Sequence, residues 1–208
     1  MIIERIAVGP LQANCYVISD EETRDALVID PGEEAGKIIS FIESRSLTTT
    51  YIICTHGHFD HVGAVSRVKA GTGAKVILNR ADLEIYRAAV DQAAFWEYEI
   101  EQPPEPDLFV MDGYEIHVGR KNIFRILHTP GHSPGGICLY GGGIIISGDT
   151  VFAGSVGRTD FYGGNIEELK QSFRTIMGLP ESTRIFPGHG EATSVGIERK
   201  ANFFVYEL

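Results

Sequence analysis

The chain has 208 residues, 43% of them hydrophobic, and a formal net charge of -10 at pH 7. That length and apolar content suit one domain, or two small ones, around a sizeable core, and the acidic balance excludes the basic footprint of an obligate DNA or RNA partner. No apolar stretch reaches membrane-spanning length, and Met1 to Arg5 lacks the features of a signal peptide, so a cytoplasmic protein without a membrane partner is expected.

Glycine and proline, with 24 and 9 copies, predict short elements joined by tight turns. Residues 2–8, 15–19 and 26–29 read as strands, with turn chemistry at Gly9-Pro10 and from Asp20 to Thr23. Asp30-Pro31-Gly32 ends the third strand, and 33–45 reads as a helix with Ile38, Ile39, Phe41 and Ile42 on one stripe. Residues 50–54 form the next expected strand. Helices are expected over 60–70 and 80–89, with a strand over 75–78 between them. Residues 91–107 break the alternation. They are acidic, carry Phe95, Trp96 and Tyr98, and end in Pro103-Pro104-Glu105-Pro106, which reads as a surface excursion within a single domain spanning 1–208. The aromatic trio suits a lid, a subunit contact or core filling for the excursion.

Strands resume over 115–118, 123–127, 136–140 and 143–147, with Gly141-Gly142 as the hairpin turn between the last two. A helix over 165–177 is capped by Asn165 and carries Glu167 and Glu168 in its first turn. A short strand over 184–186 and a helix over 194–200 close the pattern. Strands and helices follow a similar order in the two halves, which fits two stacked sheets with helices outside. Cys15, Cys54 and Cys138 are scattered and odd in number, each in an apolar context, and read as buried, reduced thiols.

The chemistry concentrates in His56-Gly57-His58-Phe59-Asp60-His61, directly after the apolar run 51–54. In an extended segment alternate side chains point the same way, so His56 and His58 can face one position while Asp60 and His61 serve a neighbouring one. His132, Asp149 and His189 follow later strand ends, each beside glycine. Imidazole and carboxylate together suit zinc, iron or manganese.

This spaced set resembles the metallo-β-lactamase fold hydrolases, and the resemblance covers essentially the whole chain. A closer likeness, to the small type II glyoxalase-like hydrolases, rests on the segments 128–135, 154–161 and Pro187-Gly188-His189-Gly190. The resemblance implies an α/β fold, an αββα sandwich, with two divalent metal ions at one edge. His56, His58 and His132 would hold the first ion, Asp60, His61 and His189 the second, and Asp149 both. It further implies a metal-bridging hydroxide that attacks a carbonyl, with Asp60 orienting the nucleophile. Zinc is the first choice of metal. A small anionic thioester such as S-lactoylglutathione is the expected substrate, because thiolate leaves with little need of protonation.

Asp30 is expected to fix the ligand segment or simply to form a turn. Arg158 could take a substrate carboxylate in its planar fork, or pair with Asp160 to brace its loop, the favoured reading. His128 and His117 are expected to be non-ligands, and Ser133 and Ser155 to serve turns. The larger glyoxalase II enzymes carry a C-terminal helical domain that has no counterpart after His189. Nothing after Asp149 is diagnostic of β-lactam binding. The rival activity is that of the persulfide dioxygenases, similar in Gly157-Arg158-Thr159-Asp160-Phe161, which would use one iron on His56, His132 and Asp149. A non-catalytic metal-binding module is the remaining alternative. Oligomeric state is not readable from the sequence.

Overall fold

Alternation along the strands decides the architecture, and it is seen most plainly in β2 (Ala13–Ser19) and β3 (Asp25–Ile29). Cys15, Val17, Ala26 and Val28 face one apolar layer, whereas Tyr16, Ile18, Leu27 and Ile29 face another. Strands buried on both faces need cover on both sides, and the rest of the chain supplies it. The computed structural model describes residues 1–208.

The first sheet holds β1 (Ile2–Val8), β2, β3, β4 (Thr48–Ile53), β5 (Lys75–Asn79) and β6 (Leu108–Val110), in that spatial order. It is antiparallel from β1 to β3 and parallel from β3 to β6. The helices α1 (Ala35–Ser44), α2 (Phe59–Val62), α3 (Val65–Thr72), α4 (Leu83–Arg87) and α5 (Ala89–Phe95) interleave with its parallel strands. Ile38 and Ile42 of α1 and Val65 and Val68 of α3 pack on its outer face.

The second sheet draws on β7 (Glu115–Val118), β8 (Asn122–His128), β9 (Ile137–Gly141) and β10 (Ile144–Gly148). A small hairpin, β11 (Val151–Phe152) and β12 (Ser155–Val156), and the helix α6 (Ile166–Met177) come next. Then follow β13 (Arg184–Pro187), β14 (Thr193–Ser194) and α7 (Val195–Ala201). The spatial order is β14-β13-β10-β9-β8-β7, with β10 and β13 parallel. Leu169, Phe173 and Ile176 of α6 cover its outer face over Cys138, Ile145 and Ile185. Between the sheets, Leu27, Ile29, Ile53 and Ile77 of the first meet Phe124, Ile126, Leu139 and Ile146 of the second. The expected αββα sandwich is therefore the observed one.

Four local expectations are corrected. Residues 60–70 form two helices, not one, because the Ala64 N–H that a continuous helix would give to Asp60 donates instead to Pro31 O at 2.9 Å. The turn at Asp30-Pro31-Gly32 presses so closely there that a Cβ on Gly32 would lie 1.6 Å from Asp60 O. Residues 80–89 split likewise into a 3-10 turn over Arg80–Asp82, with Ala81 N on the Asn79 side chain at 3.0 Å, then α4 and the start of α5. The excursion over 91–107 thus begins inside a helix. Tyr98 turns inward against Phe59, 5.5 Å between rings, while Phe95 stays 79% exposed, so only part of the aromatic trio fills the core. In the β9–β10 hairpin, Gly142 and Gly143 take φ of 59° and 78°, one residue later than expected. The three cysteines are buried and free.

Candidate metal centre

The loops that leave the C-terminal ends of β4, β10 and β13, together with the one after β8, converge at one edge of the sandwich. Thr55 to His61 follow β4, His132 follows β8, Asp149 follows β10 and His189 follows β13. Ligand atoms of His56, His58 and His132 lie within 4.8 Å of one another, as do those of Asp60, His61 and His189. His58 Nδ1 is 2.9 Å from His132 Nε2, and His61 Nε2 is 3.2 Å from His189 Nε2. Asp149 lies between the groups. Its Oδ1 is 3.4 Å from His61 Nε2, and its Oδ2 is 3.7 Å from both His132 Nε2 and His189 Nε2.

In four of the five histidines, all but His58, the other ring nitrogen is tied down. His56 Nδ1 meets Thr55 Oγ1 at 3.0 Å, His132 Nδ1 meets Arg158 O at 2.7 Å, and His189 Nδ1 meets Leu11 O at 3.1 Å. His61 Nδ1 meets Asp30 Oδ2 at 3.1 Å. Such partners fix the ring orientation of metal-binding histidines. Three buried side-chain polar atoms have no hydrogen-bond partner in the protein, and two of them, His56 Nε2 and Asp149 Oδ1, belong to this cluster. Buried polar atoms are normally satisfied, and these two face the convergence of imidazoles and carboxylates. The residues therefore fit divalent metal ions.

Electrostatics separates the rings. Burial, then the neighbouring imidazoles, hold His56 well below the usual histidine range. Burial and His132 bring His58 down to about 4. Burial also opposes charge on His61, but Asp149, Asp60 and Asp30 outweigh it and raise the ring to about 10. Asp60 is held well below the carboxylate range, because His61 and His189 overcome the cost of its burial. A neutral imidazole is ready to bind metal, whereas His61 must first release a proton.

Asp30 is more than a turn former. Its side chain accepts from Thr55 N and Thr55 Oγ1, each at 2.7 Å, as well as meeting His61, with its backbone at φ 52°. Asp30, His56 and His61 also lie close enough to share an ion. Those three bonds occupy the Asp30 oxygens and fix Thr55 and the His61 ring. The Arg158 guanidinium grips Asp160 at 2.6 and 2.5 Å and stacks on Phe161 at 4.1 Å, the bracing arrangement. What sequence reasoning missed is the Arg158 backbone, which holds His132. His128 and His117 lie exposed and apart from the cluster, His128 on Pro134 O at 2.9 Å. Asp82 was also missed. It is fully buried and accepts from Gly57 N, Ser133 Oγ and Gly135 N. Burial raises its pKa, against the pull of those hydrogen bonds. No spacing in the chain marks it, since its partners lie 25 to 53 residues away.

An αββα sandwich with a His/Asp cluster at the strand ends defines the metallo-hydrolase class. The chain belongs to the metallo-beta-lactamase superfamily, whose family model matches residues 8–189. It is 37% identical to hydroxyacylglutathione hydrolase GloC of Haemophilus influenzae, over 99% of this chain and 98% of that protein. The crystal structure of TTHA1623 in a di-iron-bound form matches with a TM-score of 0.90 at 37% identity, over 97% of this chain and 99% of that one. BLEG-1, a B3 metallo-beta-lactamase, matches with a TM-score of 0.91 at 32% identity, over 98% and 99%. No helix is long and apolar enough to cross a membrane.

Proposed function

We propose that this metallo-hydrolase cleaves a small anionic thioester, S-lactoylglutathione or a related acyl thioester, with two divalent ions, zinc first and iron or manganese in its place. One observation carries the reading: two three-ligand groups joined by the Asp149 carboxylate. His56, His58 and His132 would hold one ion, Asp60, His61 and His189 the other, and Asp149 both. Ions bound there supply a water-derived nucleophile near neutral pH and polarise a carbonyl.

The chain's own residues supply the rest. Asp60, whose Oδ2 lies 3.2 Å from His189 Nε2, is assigned to orient the attacking water. The two aspartates neutralise only part of the charge of two divalent ions, so the site favours an anionic substrate and a developing oxyanion. The Phe161 ring stands 5.4 Å from His58 and gives the mouth an apolar wall. With thiolate as leaving group, little protonation is required of the protein. The likeness to GloC, itself a hydroxyacylglutathione hydrolase, supports the thioester, and the di-iron form of TTHA1623 supports iron as a substitute.

The test pairs metal analysis of the protein as isolated with thiol release from S-lactoylglutathione. Near two ions per chain and metal-dependent thiol release are expected. Stoichiometric oxygen uptake with glutathione persulfide would overturn the hydrolase reading. The likeness to BLEG-1 makes a β-lactam the second substrate to try, and faster turnover of it than of any thioester would overturn the thioester assignment.

A further inference from the structure

The three-histidine group has a construction problem. His56 and His58 hang from the first sheet and His132 from the second, yet their nitrogens must meet within ångströms. Asp82 lies where the two loops touch. Its Oδ2 accepts from Gly57 N, between His56 and His58, at 2.8 Å, and from Ser133 Oγ, next to His132, at 2.7 Å. Its Oδ1 accepts from Gly135 N of the second loop. One carboxylate thus closes a ring that runs through both ligand loops. The approach is so close that a Cβ on Gly135 would lie 2.5 Å from Asp82 N. Asp82 is itself 0% exposed, and its carboxylate has no cationic side chain among these partners.

We propose that Asp82 is a positioning residue for the first metal ion, setting the separation of the His56-Gly57-His58 and His132 segments. The inference rests on the reading that the three histidines hold an ion. Asp82 makes no hydrogen bond to the second group. His61 is oriented by Asp30 and His189 by Leu11 O, and the adjoining Gly188 and Gly190 are held by Asn14. Loss of Asp82 therefore acts selectively. A general structural brace would instead weaken both ions and the metal-free fold together.

The test is cobalt(II) binding against a competing chelator, read by absorption spectra. D60N removes a ligand of the second group and leaves the ion on the three histidines to be followed alone. Removing partners around metal ligands costs about 10–100-fold in affinity. In the D60N background, D82N should lose about that much for the remaining ion and shift its cobalt spectrum. With Asp60 intact, D82N should leave the other ion's affinity within about twofold, since that change lies far below the 10–100-fold scale. S133A, which keeps the carboxylate and two of its three bonds, should weaken the first ion in the same direction by less, so a poorly folding D82N does not end the test. Unchanged first-ion affinity in D82N or S133A would overturn the proposal. So would equal loss at both groups with a matching fall in metal-free melting temperature. Wild-type protein that binds fewer than two ions overturns the two-metal reading, and this inference falls with it if the three histidines hold none.

Discussion

His61 has no exposed surface, yet three aspartates surround it, and that conflict gives the metal-free protein a distinctive pH response. Its ring rises from 6.5 to about 10 because Asp149, Asp60 and Asp30 outweigh the burial that opposes charge. A histidine raised in the fold contributes stability that is full below pH 6.5 and is lost as pH climbs toward 10. His58, lowered to about 4 by burial and His132, works the other way and costs stability as pH falls from 6.5 toward 4. Melting of chelator-treated protein should therefore fall on both sides of about pH 6.5. Metal takes the unprotonated imidazole, so loading should flatten the alkaline side. A chelated curve that is level from pH 7 to 10 would contradict the assignment. At Asp30, D30N replaces one of the oxygens shared by Thr55 and His61 with a donor. It should weaken the second ion about 10–100-fold in a chelator competition, and wild-type affinity would return Asp30 to a mere turn. The clustered histidines and aspartates were legible because residue type and local order advertise them. Asp82 and the Arg158 carbonyl were not, since a lone buried carboxylate and a backbone oxygen acquire meaning only through distant partners.

Most elements were legible too, wherever apolar periodicity ran for at least one full strand or two helical turns. The helix over 165–177 is the clearest case. Asn165 Oδ1 accepts from Glu167 N at 3.0 Å and Glu168 N at 3.3 Å, while Asn165 N donates to Gly131 O at 2.8 Å, beside His132. N165A should cost about 1 kcal/mol of stability in denaturant unfolding, with metal affinity little changed, because the backbone bond to Gly131 survives. A loss under a few tenths of a kcal/mol would show that packing of Leu169 and Phe173 carries the helix start without the cap. The misreadings have different causes, and over 60–70 a tertiary contact overrode local preference. Pro31 O captures Ala64 N and divides the helix expected over 60–70. The β6 strand, three residues beside β5, is too short to show a period of its own. The β11–β12 hairpin is shorter still, two residues a side.

At the scale of the whole molecule, the candidate metal ligands divide between the sheets just as the core does. His56, His58, Asp60 and His61 follow a strand of the first sheet, and His132, Asp149 and His189 follow strands of the second. Each proposed ion therefore draws on both halves of the chain and staples one sheet to the other. The apolar layer between the sheets is contributed by both, so neither half keeps its inner face covered alone. We expect one cooperative calorimetric transition, not two, for residues 1–208. Binding stabilises a fold by about 2.7 kcal/mol per site at a hundredfold excess over Kd. In a chain of this size each kcal/mol moves the melting temperature by about 2–4 °C. Stripping both ions should then lower the midpoint by on the order of 10–20 °C while leaving a single transition. The D149N variant, which weakens the carboxylate shared by the groups, should lose most of that metal-dependent increment, whereas D60N should keep part of it. Two separate transitions after chelation would mean that the halves fold independently and that the ions, not the shared apolar layer, hold them together.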